Sequence, residues 1–478
     1  MKQTFTKLLG IASVAILLIA GTEAKAQTLA SAETFHKNEK KSDTTAVTAA
    51  DKKLTTTNVQ AKADPDTAWK PQRRVWGYAF GDYYYDQHSP LVTSTYGKEN
   101  NYYQTPSNRN AFQFRRIYLG YDYEITKKFK AEMLLASEPN ENNQPTSATS
   151  SVVNTDNLAD GKMSFYIKNF NIRARDIWAG TDFVIGEMAT PGFALNEPGT
   201  NAPTSLSETT WAYRSIERTI TDFHKNNSYD VGAALQGTFD PATKNFGYVL
   251  MLGDNTQANT NTVYNSNSAL SPTNPQPNTG FFKIVYGDLW GKFLNQHLYV
   301  DIYADHAQTS SSIASTAVTS GTINPLEHSM YKAFVAYTSA KFTVGVEAYT
   351  QSLTNAVIDN TTKTADDATV HAASFWVRGA LAAGWNYFAR ADFYNPDTKF
   401  IAADNVSVAS NGYSSYDPTV KQQFYTFGLD YNPTKNVHFM PNIWLDRYMN
   451  QYDSTTKGWA GDDHTLVYRL TFFFTFGK

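Results

Sequence analysis

From Val75 to Phe476 the chain repeats one rhythm sixteen times: a segment of about ten residues alternates apolar and polar side chains, and a polar connector ends it. The connectors come in two kinds that take turns. Short, turn-like ones are Thr126–Lys128, Arg175–Asp176, Asp240–Lys244, Ser339–Lys341 and Asn432–Lys435. Long ones, rich in Asn, Ser, Thr and Pro, are Gln87–Asn110, Glu138–Lys162, Asn255–Thr279, Ala307–His328 and Pro396–Val420. Such sorting marks an antiparallel meander whose two ends face different compartments, because a soluble sandwich has no reason to segregate its loops.

The predicted strands are Val75–Tyr85, Phe112–Ile125, Phe129–Ala136, Met163–Arg173, Ile177–Glu187, Tyr229–Phe239, Phe246–Gly253 and Gly280–Gly287. They continue as His297–Asp305, Ser329–Thr338, Phe342–Gln351, Thr369–Leu381, Asn386–Asn395, Lys421–Tyr431, Val437–Tyr448 and His464–Phe476. An even count returns both termini to one side, as bacterial barrels require. In the last strand Leu466, Tyr468, Leu470, Phe472, Phe474 and Phe476 fall on one face, and Thr465, Val467, Arg469, Thr471 and Thr475 on the other. Phe473 breaks the polar row and is assigned to the periplasmic rim. Equivalent apolar rows are Ile117, Leu119, Tyr121 and Tyr123; Val344, Val346 and Ala348; Ala373, Phe375 and Val377; and Tyr425, Phe427, Leu429 and Tyr431.

A sheet of this size exposes two edges unless it closes on itself. The expected fold is therefore all-β: a transmembrane antiparallel β-barrel of about 16 strands, wide enough for an aqueous channel. Its aromatic fraction of 14% suits girdles at the two membrane interfaces. The partners it implies are outer-membrane lipid outside and small polar solutes or ions inside.

The N-terminal residues have their own logic. Lys2 and Lys7, the apolar run Leu8–Ala20 and Ala24-Lys25-Ala26 form the three-part pattern of a secretory signal peptide. Residues 1–26 are expected to be removed, leaving Gln27 first. Residues 27–70, rich in Lys, Thr, Ala and Asp, cannot bury enough surface to order themselves and read as a periplasmic arm. Residues 71–478 form the barrel domain, in the outer membrane with both termini periplasmic.

Composition excludes several functions. The absence of cysteine removes disulfides, thiolate metal sites and cysteine nucleophiles. The formal charge of −3 becomes −5 once Lys2, Lys7, Lys25 and Glu23 leave with the leader, which disfavours nucleic acid. No Gly-x-Ser-x-Gly, His-Glu-x-x-His or Walker sequence occurs, so the chain is not expected to be an enzyme, and no cofactor is implied. Asp462-Asp463-His464 and Asp305-His306 place a carboxylate beside an imidazole. Adjacent strand residues point to opposite faces, however, so neither is a dyad by sequence alone.

The connector between Glu187 and Tyr229 is the longest. After the turn formers Thr190-Pro191-Gly192-Phe193 and Asn196-Glu197-Pro198-Gly199, Ser205 and Glu208 fit a capping box, and Trp211, Ser215 and Arg218 share a helical face. It is expected to fold inward as a constriction loop, with Arg214, Glu217 and Arg218 either meeting solutes or tying the loop to the wall.

Phe112-Gln113-Phe114-Arg115-Arg116-Ile117-Tyr118-Leu119-Gly120 resembles the paired-arginine second strand of the phosphate-selective porin O/P family. Trp178–Glu187 followed by Pro191-Gly192-Phe193, then Glu217-Arg218 and Asp230-Val231-Gly232, are similar to that family's later elements. Glu187 stands where Gln is usual, and Pro191-Gly192-Phe193 permutes the usual order. The resemblance spans Val75 to Lys478 and is carried by Phe112 to Phe239. It implies a sixteen-stranded, commonly homotrimeric channel, in some relatives for phosphate.

Anion pores use ladders of Arg and Lys. The basic residues expected to line this lumen are Arg116, Lys130, Lys168, Lys283, Lys332, Arg378, Arg390 and Arg469. Against them stand Asp122, Glu132, Asp182, Asp230, Asp301, Asp305, Glu347, Asp392, Asp430 and Asp446. That mixture supports passive diffusion of small polar solutes over phosphate or anion selectivity. A non-conducting barrel serving as adhesin or scaffold, and an outer-membrane hydrolase, are the remaining alternatives.

Overall fold

A computed structural model describes residues 69–89, 107–138, 165–193, 216–224, 228–254, 284–312, 325–359, 361–400, 406–408, 421–453 and 458–477. The strands are β1 (Arg73–His88), β2 (Arg109–Glu124), β3 (Phe129–Ser137), β4 (Tyr166–Trp178), β5 (Thr181–Ala189) and β6 (Tyr229–Thr238). Next come β7 (Phe246–Gly253), β8 (Ile284–Phe293), β9 (Leu298–Ser312), β10 (Pro325–Thr338), β11 (Phe342–Asp359) and β12 (Thr364–Ala382). The remainder are β13 (Trp385–Asn395), the three-residue β14 (Val406–Val408), β15 (Lys421–Thr434), β16 (Val437–Asp453) and β17 (Gly458–Phe476).

All except β14 form the wall, each antiparallel to its neighbours in sequence. The wall closes where β1 meets β17, in register from Gly77↔Phe476 to Tyr85↔Tyr468. Sixteen wall strands therefore match the sixteen segments read from the alternation. Among the described residues, the short β14 pairs with the long-loop end of β11, through Val357–Asp359.

β9, β11, β16 and β17 run further toward the long loops than their alternating segments, and three other boundaries also differ from the sequence reading. β4 runs on to Trp178, so Ile177 and Trp178 belong to it and not to the next strand. The turn sits at Ala179-Gly180, where Gly180 takes a φ of 79°, while Asp176 occupies a bulge. Glycine enters that left-handed turn without a Cβ penalty, which decides the position against Arg175-Asp176. β8 is shifted toward its C-terminus and ends at Phe293, and Lys283 lies outside the described residues. β12 is longer than its apolar run, because its polar first turn Thr364–Ala368 still pairs with β11.

The outward face carries a broad apolar belt. Leu119, Ile172, Ile185, Leu250, Leu289, Ile302, Ile443 and Leu470 expose more than a third of their surface around the middle. At the short-turn end the exposed residues become aromatic: Phe129, Trp178, Phe239, Phe293, Trp385, Tyr431, Phe439 and Phe476. A ring of aromatics at the strand ends below an aliphatic belt is how a barrel meets a bilayer and its interface.

Inside, three tryptophans lie flat over glycines of the neighbouring strand: Trp76 over Gly120, Trp290 over Gly247 and Trp376 over Gly345. A Cβ on Gly345 would stand 1.9 Å from the Trp376 ring, so this close approach requires glycine. Phe473, assigned by sequence to the rim, lies near the short-turn end opposite His438 and is a buried member of an inner cluster. It packs with Tyr78, Phe80 and His438.

Candidate functional site: a loop clamped inside the barrel

The connector from β5 to β6 re-enters the barrel at residues 216–224. Ile216 is fully buried, and Glu217, Thr219, Ile220 and Thr221 are almost so. Thr219 begins a short helix, Ile220–Phe223, by accepting the amide hydrogen of Asp222 through its hydroxyl at 3.3 Å. This cap lets so short a turn hold its shape.

The wall grips this segment mostly by its backbone. Arg469 of β17 donates to the Ile216 carbonyl at 2.9 Å, and Arg115 of β2 donates to the same oxygen at 3.4 Å. Arg390 of β13 donates to the Glu217 carbonyl at 3.1 Å. The Glu217 carboxylate accepts from the Trp444 indole of β16 at 3.2 Å and from the Arg218 amide at 2.8 Å. Thr221 donates to Glu347 of β11, and Lys332 of β10 donates to the carbonyl of Gly192 near the loop's start. His224 stacks on Tyr394 of β13 with centroids 3.4 Å apart. Burial, with Arg218 and Arg390 close by, holds that imidazole well below its usual pKa, so it stays neutral.

The geometry follows from the strand order. β13 is the eighth wall strand beyond β5, the far side of a sixteen-stranded ring. A loop that leaves β5 and is held by Arg390 on β13 spans the lumen. The inward fold expected of this connector is therefore present.

Each gripping arginine is itself oriented. Arg115 pairs with Asp82 at 2.5 Å, and Asp82 also accepts from the Thr471 hydroxyl at 2.6 Å. Arg390 forks onto Asp392, which accepts from Ser374 as well. Arg469 donates to Asn442 at 2.9 Å and lies over the Trp444 ring. A guanidinium that has spent part of its fork on an acceptor presents the remaining N–H groups in a fixed direction.

A second cluster stands at the root of the preceding long connector, between β3 and β4. Glu138 pairs with Arg116 at 2.9 Å and with Lys168 at 3.0 Å, and accepts hydrogen bonds from Tyr118 and Tyr166. Burial alone would raise this carboxyl. Arg116 and Lys168, helped by the two phenols, outweigh it and hold the group well below the usual carboxylate range.

Of the residues singled out by sequence, Glu217, Arg218, Arg390, Asp392 and Arg469 come together at the loop. Arg116 and Lys168 meet at Glu138. Arg378 is half-buried, within 3.4 Å of the Thr343 hydroxyl, and apart from both groups. Arg214 lies outside the described residues. Arg115 was missed, since strict alternation sends it outward beside an inward Arg116. The register instead slips between Phe80 and Gly81, so the ladder skips Arg115 at a bulge, and both arginines are buried inside. Arg173 was also missed. It bridges Glu132 at 3.4 Å and Asp182 at 3.2 Å. These additional cations make no basic ladder, because Asp82, Asp86 and Asp288 join the inner face as well. Asp305 and His306 point apart: Asp305 is buried against Tyr303, while His306 is exposed beside Ser329.

No protein-family model and no curated protein matches the chain. Among solved structures, the outer-membrane channel DcaP of Acinetobacter baumannii is similar with a TM-score of 0.51 and 9% identity, covering 85% of this chain and 97% of that one. The anion-selective porin of Comamonas acidovorans gives 0.49 and 9%, over 85% and 100%. OmpF of Salmonella typhi, in complex with daunomycin, gives 0.46 and 12%, over 84% and 97%. The likeness to DcaP is one of fold: a closed antiparallel barrel.

Proposed function

We propose that the chain is an outer-membrane porin, admitting small polar solutes or ions by passive diffusion past the loop held across its lumen. The observation that carries this reading is the loop itself, held by Arg390 on the wall opposite its origin and by Arg469 on β17, in a barrel with an apolar outer belt. A scaffold barrel has no need of a partition held so deliberately inside. In this reading residues 1–26 are the export leader, residues 27–70 are a periplasmic arm, and both termini are periplasmic. Loop and wall charges such as Arg214, Arg218, Arg116, Lys168 and Arg378 set the field that solutes cross.

Mixed wall charge favours weak selectivity. The phosphate preference suggested by the paired arginines is the finer alternative, and the pairing of Arg115 with Asp82 and of Arg116 with Glu138 argues against it. Reconstitution into a planar bilayer tests both. Discrete conductance steps with a small zero-current potential in a salt gradient are expected. A strong anion preference saturable by phosphate would favour the alternative. A folded barrel without conductance would favour a scaffold. The homotrimer implied by the family resemblance is tested by native mass in detergent, where three copies are expected.

A further inference from the structure

The wall is closed by pairing its first strand with its last, and that seam carries a chemistry the channel reading does not use. At its outer end His88 of β1 faces Asp463 and His464 of β17. The His88 Nε2 lies 2.9 Å from Asp463 Oδ1, and His464 Nδ1 lies 4.0 Å from the same oxygen. The two imidazoles stack with centroids 4.3 Å apart. One ligand atom from each of the three residues falls within 4.8 Å of the others.

We propose that these residues bind one borderline divalent metal ion of the zinc type, and that the ion acts as a clasp across the barrel seam. Two imidazoles and one carboxylate are the donor set such ions prefer, and harder ions such as calcium or magnesium would ask for oxygen alone. Bonds of about 2.0–2.2 Å to a tetrahedral ion place donor atoms about 3.4 Å apart. The three donors lie within 4.8 Å of one another, so the widest gap closes by at most about 1.4 Å. All three side chains are partly exposed and have room to rotate.

A simple ion pair between His88 and Asp463 leaves the second imidazole without a purpose. Protonating both stacked rings would set like charges against each other, whereas one shared cation engages all three groups. The chain on either side of His88 is also held. The Asp86 carboxylate bonds the Ser89 hydroxyl at 2.5 Å, and the Ser89 amide donates to Ser107 at 2.9 Å. The register slips between Asp86 and His88, so a bulge aims His88 at the partner strand. Asp463 accepts the His464 amide at 2.8 Å, which fixes its carboxylate toward the cluster. These contacts fix the backbone that carries His88 and leave the imidazoles to be oriented by the ion. The partly exposed side of the cluster leaves coordination positions to water.

The test uses the full-length folded protein in detergent, stripped with EDTA and titrated with Zn2+. One equivalent is expected to bind and to raise the thermal unfolding temperature of the barrel. His88→Ala and His464→Ala are each expected to weaken binding at least about tenfold and to abolish the thermal shift. His297→Ala, at the opposite end of the wall, is expected to change neither. Undiminished binding in both seam variants, or no binding by the wild type at millimolar Zn2+, overturns the proposal. Should the seam variants fail to fold, Co2+ bound to the unsubstituted protein decides. Intense visible absorption of a four- or five-coordinate ion supports the site, and the faint spectrum of an octahedral aqua-carboxylate ion refutes it.

Discussion

The two sides of the barrel interior hold the same loop by different physics. On the side of β13, β16, β17 and β2, arginines donate to its carbonyls, each arginine fixed by an acidic or amide partner. On the side of β5 to β11 an apolar seat is added to the directional bonds from Thr221 to Glu347 and from Lys332 to the Gly192 carbonyl. Ile220 is buried in a cluster with Val184, Met188, Val249, Met251, Tyr303, Met330 and Tyr349. Directional bonds fix where the loop's backbone lies, and the apolar seat supplies burial that does not depend on orientation. A partition built this way can be loosened at one side without leaving the barrel wall.

Breaking the directional side is expected to have the largest effect. Arg390→Ala strands the buried Asp392 and releases the Glu217 carbonyl, costing about 3–5 kcal/mol as removal of one member of a buried pair does. Urea unfolding in detergent measures the loss. Arg390→Lys is expected to recover only part of it, because an ammonium cannot serve both Asp392 oxygens and the carbonyl together. Breaking the apolar seat comes next. Ile220→Ala is expected to cost about 2 kcal/mol, at the low end for buried isoleucine because a loop can settle into the space. Protease nicking within the loop should rise in the same order.

Glu138 sharpens the comparison through pH. Its carboxyl is held below the ordinary value of 4.5, so it stabilises the fold fully above that pH. The contribution falls away progressively below that pH and is gone once pH has passed the lower folded-state value. Glu138→Gln is therefore expected to lower the urea midpoint at pH 7, by an amount unchanged down to pH about 4.5 and shrinking in stronger acid. Arg378→Ala, at a half-buried residue away from the loop, is expected to change stability least, by about 0.5 kcal/mol or less. An Arg378 effect as large as that of Arg390 would erase the distinction between clamp and wall charge.

Much of the fold was legible because the barrel writes its period into every strand. Leu466 to Phe476 face outward as the alternation requires, and the sorting of connectors located the hairpins. Local exceptions to the period were not legible. The bulge that turns Arg115 inward depends on the register with β1, a partner that the second strand's own residues do not reveal. Phe473 reads as an error in a polar row until Tyr78 and Phe80 are seen beside it. At the loop, sequence identified Glu217 and Arg390 as charges inside but not that one receives an indole and the other grips a carbonyl. Those contacts join residues far apart in the chain, and no spacing rule encodes them.

The central claim is that the loop clamped by Arg390 and Arg469 narrows a conducting lumen. Single-channel conductance of the wild type beside Arg390→Ala/Arg469→Ala, both confirmed as folded barrels, tests it most directly. The expected result is regular steps from the wild type and larger, noisier steps from the double variant, as the freed loop leaves the passage. Equal steps from both proteins, or none from a folded wild type, would contradict it.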